Sequence, residues 1–595
     1  MSVSQIQNQL KGALDNVEEF ERRLLAVSPE ERIRVLTADY GDHRWTVAHR
    51  VAGIGLVQVM RCITRNITVQ ELLDLLVTLD EDGNTPVHYA VRGGHTETLQ
   101  CIIDSLPTED LYRVFAFRNE EGNTPVHWAT GFGHTATFSC IMKYVPAIKL
   151  AKLMGKQNAN WITALHLAAD YGYIQIVKCM VELLSAEEFC NLLTIQNKSG
   201  STPLHFAARK GHGELAKLMV ESSSTDMLSN VLTVQNKDGS TAVHVAIKNG
   251  HTDITKYLIE SVPTNELTPL LVKQNDCGDT VLHMAVRNSH IDAANYILSS
   301  VKADDMPRLV SVENNQNSIP LHYAAINNQV ETIKYVIKCV TGSYLFSILA
   351  KPDRHGHTIF QLAVKKGYVE IVRCILESLP TDELERILGK LDKNGNTAMH
   401  SAVMYNHIDV VACILETASM PDLLKLLSQQ NREYNSSLHF AARDGYTETF
   451  KLIAKAMRPQ DFTKLLRLRN NSRETVVYKA SENGQETILE IILSYVPRSS
   501  LCDLLLIPDM FGYNAVHLLA SNGYTAMLNT ALSNLSPREN LKALAVRNSN
   551  GRTALDLAKI SKQSEATSFL QNKQKEMEKV AIGMIMNNKN QIEST

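Results

Sequence analysis

Twenty histidines and ten cysteines supply the groups in this chain that could bind a metal, move a proton or act as a nucleophile. Their spacing argues for a different role. Eleven histidines fall on one phase of a recurring phrase typified by Thr-Pro-Val-His: His49, His88, His127, His166, His205, His244, His283, His322, His400, His439 and His517. Six more, His95, His134, His212, His251, His290 and His407, follow the turn that closes the phrase. His43, His355 and His357 remain. Asp353, His355 and His357 share a predicted turn tip, where two imidazoles and a carboxylate could hold a metal. Exposed histidines on a polar turn are far commoner and no further ligand is fixed nearby, so neither metal nor cofactor is expected.

Cysteine obeys the same phase. Cys62, Cys101, Cys140 and Cys179 are 39 residues apart, and Cys374 and Cys413 continue the series, at a position that suits a small hydrophobe in a helix core. Thiols one repeat apart would stand about 10 Å from each other, too far for a disulfide. There is no Cys-x-x-Cys pair, and ten thiols in so long a chain read as reduced and intracellular. GxxxxGK[ST], HExxH, GxSxG and kinase-type HRD motifs are absent, so no enzyme is expected.

The elements that position these side chains recur with the same period. Fourteen anchors fall 39 residues apart: Thr46, Thr85, Thr124, Thr163, Thr202, Thr241, Thr280, Ile319, Thr358, Thr397, Ser436, Thr475, Asn514 and Thr553. Two places before most anchors stands a glycine, as at Gly83 and Gly200, suited to the positive φ of a tight turn. The anchor hydroxyl predicts a helix N-cap, and proline follows at the first helical position in four repeats. Glycine nine places on, or asparagine at Asn328 and Asn406, predicts the helix end. A second helix follows. A third short one is expected in most repeats, where LPTEDLYRVF (106–115) and its counterparts place apolar residues at i, i+3 and i+4.

The phrases GNTPVHYAVRGGH (83–95) and GSTPLHFAARKGH (200–212) resemble the ankyrin repeat, and the likeness extends over nearly the whole chain. The departure is length, since ankyrin repeats run about 33 residues. The resemblance implies an all-α ankyrin-repeat solenoid of about fourteen 39-residue repeats. It also implies that the first histidine set hydrogen-bonds within and between repeats. Residues 1–40 are expected to form an N-terminal helical cap or half-repeat, 41–572 the solenoid, and 573–595 a tail that is partly helical or disordered.

The chain has 595 residues, 44% of them hydrophobic and 21% charged, which excludes a disordered or collagen-like polymer. Sixty basic against 63 acidic side chains leave a net charge of −3, so bulk charge draws it to neither nucleic acid nor an anionic membrane. No apolar run reaches the ~18 residues of a span, and the polar N-terminus has no signal-peptide core. Cytoplasmic localisation is expected, in a host cytoplasm if the chain is a secreted bacterial effector, a type that its unbroken period is similar to.

Ankyrin proteins bind protein partners with turn tips and the exposed side of the first helix. Carried onto this sequence, that implies a partner-binding face of Arg92, Phe132, Trp161, Tyr171, Arg209, Lys210, Lys248, Arg287, Lys365, Lys366, Tyr405 and Arg443. Eight of these are basic, which suits an acidic segment of a partner protein. Early tips are acidic (Asp80, Glu81, Asp82, Glu120, Glu121), and Trp161 stands in a turn-glycine slot as a binding candidate. Trp128 is expected in the core. A monomeric, non-enzymatic scaffold is the function expected. Two others compete with it: an enzyme or metal-dependent site around His355 and His357, and a structural protein self-assembling through Met577, Met584 and Met586.

Overall fold

The computed structural model describes residues 3–39 and 43–593, with side chains as far as Ile582. Tyr40 and Gly41, on which the expected cap boundary falls, and the side chains of Met584 and Met586 lie outside the described residues. The described chain is all-helical, with forty-four α-helices and one isolated bridge, Arg469 to Thr475. It gathers into two compact units, Met1–Asn315 and Gln316–Thr595. Both are built from the same repeat.

The Thr202 repeat shows how the sequence makes it. Its first helix, Pro203–Lys210, opens on the Thr202 cap with proline at the first turn, and Gly211 ends it in the left-handed conformation. The second, Gly213–Glu221, and the third, Thr225–Thr233, follow at once. Third helices recur from Val69–Leu76 to Pro537–Ala545; in the Thr280 repeat the element shortens to Met306–Val310 behind a 3₁₀ turn, Ala303–Asp305. Each buries the expected face: Leu111, Val114 and Phe115 in one repeat, Leu384, Ile387 and Leu388 in another. No repeat covers its own apolar surface, so within each unit successive first helices stack on one another, and so do the second.

Two features sit at the ends. Val17–Leu25 and Pro29–Thr37 pack on the second and third helices of the Thr46 repeat, Val57–Arg65 and Val69–Leu76, as one repeat packs on the next. At the other end one helix, Ser564–Glu593, runs through most of the expected tail, and Met577 on it is buried.

The turn tips explain why the period never slips. Gly200 has a φ of +73°, and a Cβ there would lie 2.7 Å from the backbone N of Lys237 in the next tip. Trp161, Tyr434 and Arg473 take the same conformation with full side chains, at φ +60°, +59° and +62°. That conformation strains any residue but glycine.

Candidate functional site

The histidines that could have done chemistry are bound into the frame. In the Thr85 repeat the backbone N–H of Thr85 donates to Nδ1 of His88 at 3.1 Å, and the Thr85 hydroxyl lies 2.8 Å from the same nitrogen. The ring proton therefore sits on Nε2, which donates to the carbonyl of Asn123 in the next repeat at 3.1 Å. His127, His166, His205, His400 and His439 repeat both bonds. Burial pushes His88, His127, His166, His205, His244, His400 and His439 down to about 4, so they are neutral at pH 7. The substitutes serve similarly. Gln361 accepts from the Thr358 N–H at 2.9 Å and donates to Lys390 O at 2.8 Å, while the Tyr478 hydroxyl donates to Asp509.

The second histidine set clips repeats from the other side. Nε2 of His134, His212 and His407 donates to the carbonyls of Arg92, Asp170 and Lys365, each in the repeat before. Of the pair expected on the surface, His355 is exposed but His357 is half-buried between the carboxylates of Asp353 and Asp392, and Asp353 Oδ1 accepts the backbone N–H groups of both at 2.8 and 2.9 Å. Burial alone would raise the Asp353 carboxyl, but the bonds from His357 and His355 outweigh it and bring it down to about 2. Among the described residues no three His, Cys, Asp or Glu side chains gather in a metal-holding group. All ten cysteines are free, and burial pushes the Cys62 thiol up to about 11 and raises Cys140, Cys374, Cys413 and Cys502.

The sequence-derived face lies at the ends of the first helices, and its members differ in what they touch. Arg92, last residue of Pro86–Arg92, sits over the rings of Trp128 and Phe132, at 5.6 and 5.8 Å. Phe132 is 49% exposed and stacks on His134; Tyr171 stacks on Tyr173 and Tyr405 on His407, both exposed. Trp161 projects from its tip, also exposed. Arg209 pairs with Asp170 at 2.9 Å and lies over Phe206, with Lys210 at 3.7 Å from the same carboxylate. Arg443 pairs with Asp444 and covers Phe440. Lys365 is over Tyr405, while Lys248 and Lys366 are exposed and make no ion pair among the described residues.

Two readings change. Arg287 is not a spare surface cation: its guanidinium pairs with Asp279, a carboxylate buried in the tip that also accepts the Asn314 side-chain amide. Trp128 is half-buried rather than core, because the ring lies across the surface of the stack between Tyr89 and Phe132.

The largest features missed from the sequence are in the tips. Five places before each anchor from Thr85 to Thr553 stands Asp or Asn, Asp80 through Asn548. Asn197 is typical: its Oδ1 accepts the N–H groups of Ser199 and Ser201 at 3.0 and 2.9 Å. One place earlier, Gln157, Gln196, Gln235 and Gln274 each donate to a carbonyl of their own tip and one of the next. One place later the side chain is free to vary, and it does: Glu81 and Glu120 in the early tips, then Lys198 and Lys237, then Asp276, then Arg354, Lys393 and Arg432, all exposed. Reading each column of the 39-residue register would have found all three.

A family model described as ankyrin repeats (3 copies) matches residues 59–152, 140–230, 225–306, 270–345, 304–386 and 339–422. These windows span more than half of the 595 residues. Beyond them the Ser436 and Asn514 repeats keep the same anchor–histidine bonds. A search of curated proteins returned no match.

Proposed function

The chain belongs to the ankyrin repeat family, whose repeats are protein–protein interaction modules, and from that premise we propose that it is a non-enzymatic scaffold taking an acidic segment of a partner protein along the first-helix ends and turn tips. The observation that carries this is a doubled row of exposed cations in each compact unit. Lys198 and Lys237 on the tips accompany Lys210 and Lys248 in the first unit; Arg354, Lys393 and Arg432 accompany Lys366 and Arg443 in the second. Exposed aromatics, Tyr171 in the first unit and Tyr405 in the second, give apolar anchors beside them.

Buried neutral histidines and raised thiols support a binding rather than a catalytic role. Burial of Met577 supports a monomer over self-assembly through the tail. Ten free cysteines suit a reducing compartment, the cytoplasm; for a secreted effector that is the host's. Charge reversal at Arg209, Lys210, Lys365 and Lys366 to Glu should release the partners that the purified wild-type protein retains in a pull-down. Retention of every partner by the reversed protein would exclude this face.

A further inference from the structure

The Thr46, Thr85 and Thr124 repeats carry a surface of a different kind. Trp45 packs on Tyr89 with ring centroids 4.8 Å apart, Tyr89 meets Trp128 edge-on at 6.1 Å, and Trp128 meets Phe132 at 6.2 Å. Four rings thus run side by side across three repeats, with Trp45 and Trp128 half-exposed and Phe132 half in solvent. The rank is tied to the tips above it, since the Tyr89 hydroxyl donates to Asp80 Oδ2 at 2.6 Å. Those tips carry Glu81, Asp82, Glu120 and Glu121, all exposed, and are joined by a backbone bond from Glu120 N–H to Asp82 O.

The nearby charges fix which partner this surface suits. His43 lies 3.1 Å from Glu81, and the Arg118 guanidinium is spent on the carbonyls of Gly122 and Gln157. Asp82, Glu120 and Glu121 make no ion pair among the described residues. The cation that belongs on the ring faces is already there, as Arg92 over Trp128 and Phe132. An occupant therefore meets apolar ring surface with an intramolecular cation at its floor and an unneutralised acidic rim above it.

We propose that this surface binds an extended segment of a partner protein in which an aliphatic or aromatic side chain alternates with lysine or arginine. The apolar side chains lie along Trp45, Trp128 and Phe132, and the cations reach up to the tip carboxylates. Three stacked repeats at roughly 10 Å each would hold about ten extended residues. Acidic segments and nucleic acid are repelled by the rim, so Arg92 and Phe132, placed by sequence on the acidic-partner face, belong to this surface instead, and it complements the basic rows of the later repeats rather than extending them.

Of the three tryptophans of the chain, Trp45 and Trp128 lie in this surface and Trp161 on the tip next to it, so occupancy of the surface changes tryptophan emission. The test titrates the full chain with a pooled library of ten-residue peptides alternating Leu or Phe with Lys or Arg, and with the matched library carrying Glu. The basic library is expected to change the emission saturably and the acidic one at least tenfold more weakly. Glu120→Lys with Glu121→Lys, or Phe132→Ala, should weaken the basic library at least tenfold, and Glu120→Gln with Glu121→Gln by less. Lys198→Glu with Lys237→Glu should leave its affinity unchanged, which separates this surface from the acidic-segment reading. No saturable change with the basic library, equal response to both libraries, or indifference to the tip reversal would each overturn the proposal.

Discussion

The tip of the Thr85 repeat and the tip of the Ser436 repeat share one backbone and expose different side chains: two carboxylates, Glu81 and Asp82, in the first, and Arg432 beside Glu433 in the second. Asp80 Oδ1 accepts the N–H groups of Asp82 and Asn84; Asn431 Oδ1 accepts those of Glu433 and Asn435. Gly83 and Tyr434 hold the same positive φ, at +74° and +59°. The next residue after that acceptor is Glu81 in one tip and Arg432 in the other. The comparison separates two sets of positions. The acceptor, the left-handed residue, the anchor and its histidine hold the repeat; the residues between them are free to choose partners.

The frame should break in acid, and unequally in the two compact units. A histidine held at about 4 when folded and near 6.5 when unfolded takes up its proton preferentially in the unfolded chain. Stability is therefore intact above pH 6.5 and is lost as pH falls towards 4, by on the order of 3 kcal/mol per histidine at the lower limit. In the first unit five such residues (His88, His127, His166, His205 and His244) are held at about 4 and burial lowers His49 as well; in the second only His400 and His439 are held at about 4, burial lowers His322 and His517, and Gln361, Tyr478 and Asp556 occupy the remaining slots. Urea unfolding followed by hydrogen exchange at pH 7.5 and pH 5 should show the first unit losing more protection; equal loss would break the comparison.

Glycine substitutions sharpen it. Gly200→Ala forces a Cβ towards Lys237 N and should cost about 2–3 kcal/mol by denaturant midpoint. Trp161→Gly should instead raise stability by about 1 kcal/mol, because it relieves the same conformation. Within one tip, Asn431→Ala leaves two N–H groups without their acceptor and should cost about 1–3 kcal/mol, whereas Arg432→Ala beside it should stay within about 0.5 kcal/mol.

The fold was legible because its punctuation is local. A turn glycine, a hydroxyl cap and a left-handed helix end act within ten residues, and Thr85, His88 and Gly94 report them without any knowledge of neighbours. The surface was less legible because its contacts join residues that only folding brings together, within a repeat or across the next. Arg287 looks like its neighbours Lys248 and Lys365 in sequence, and only the fold brings it to buried Asp279. Trp128 looks like core until Tyr89 and Phe132 are seen to flank it at the surface. The tip cations were visible in the register, but a near-zero net charge conceals acidic Glu81 and Glu120 among basic Lys198 and Arg432.

On both proposals, one repeated frame offers two chemically opposed binding surfaces. Amide hydrogen exchange of the full chain, with the basic and the acidic peptide libraries added in turn, tests it most directly. The basic library should slow exchange over residues 81–92 and 120–134. The acidic library should slow exchange at the tips and first-helix ends near 198–210, 237–248, 354–366 and 432–443. A single footprint shared by both libraries, or footprints exchanged between them, would contradict it.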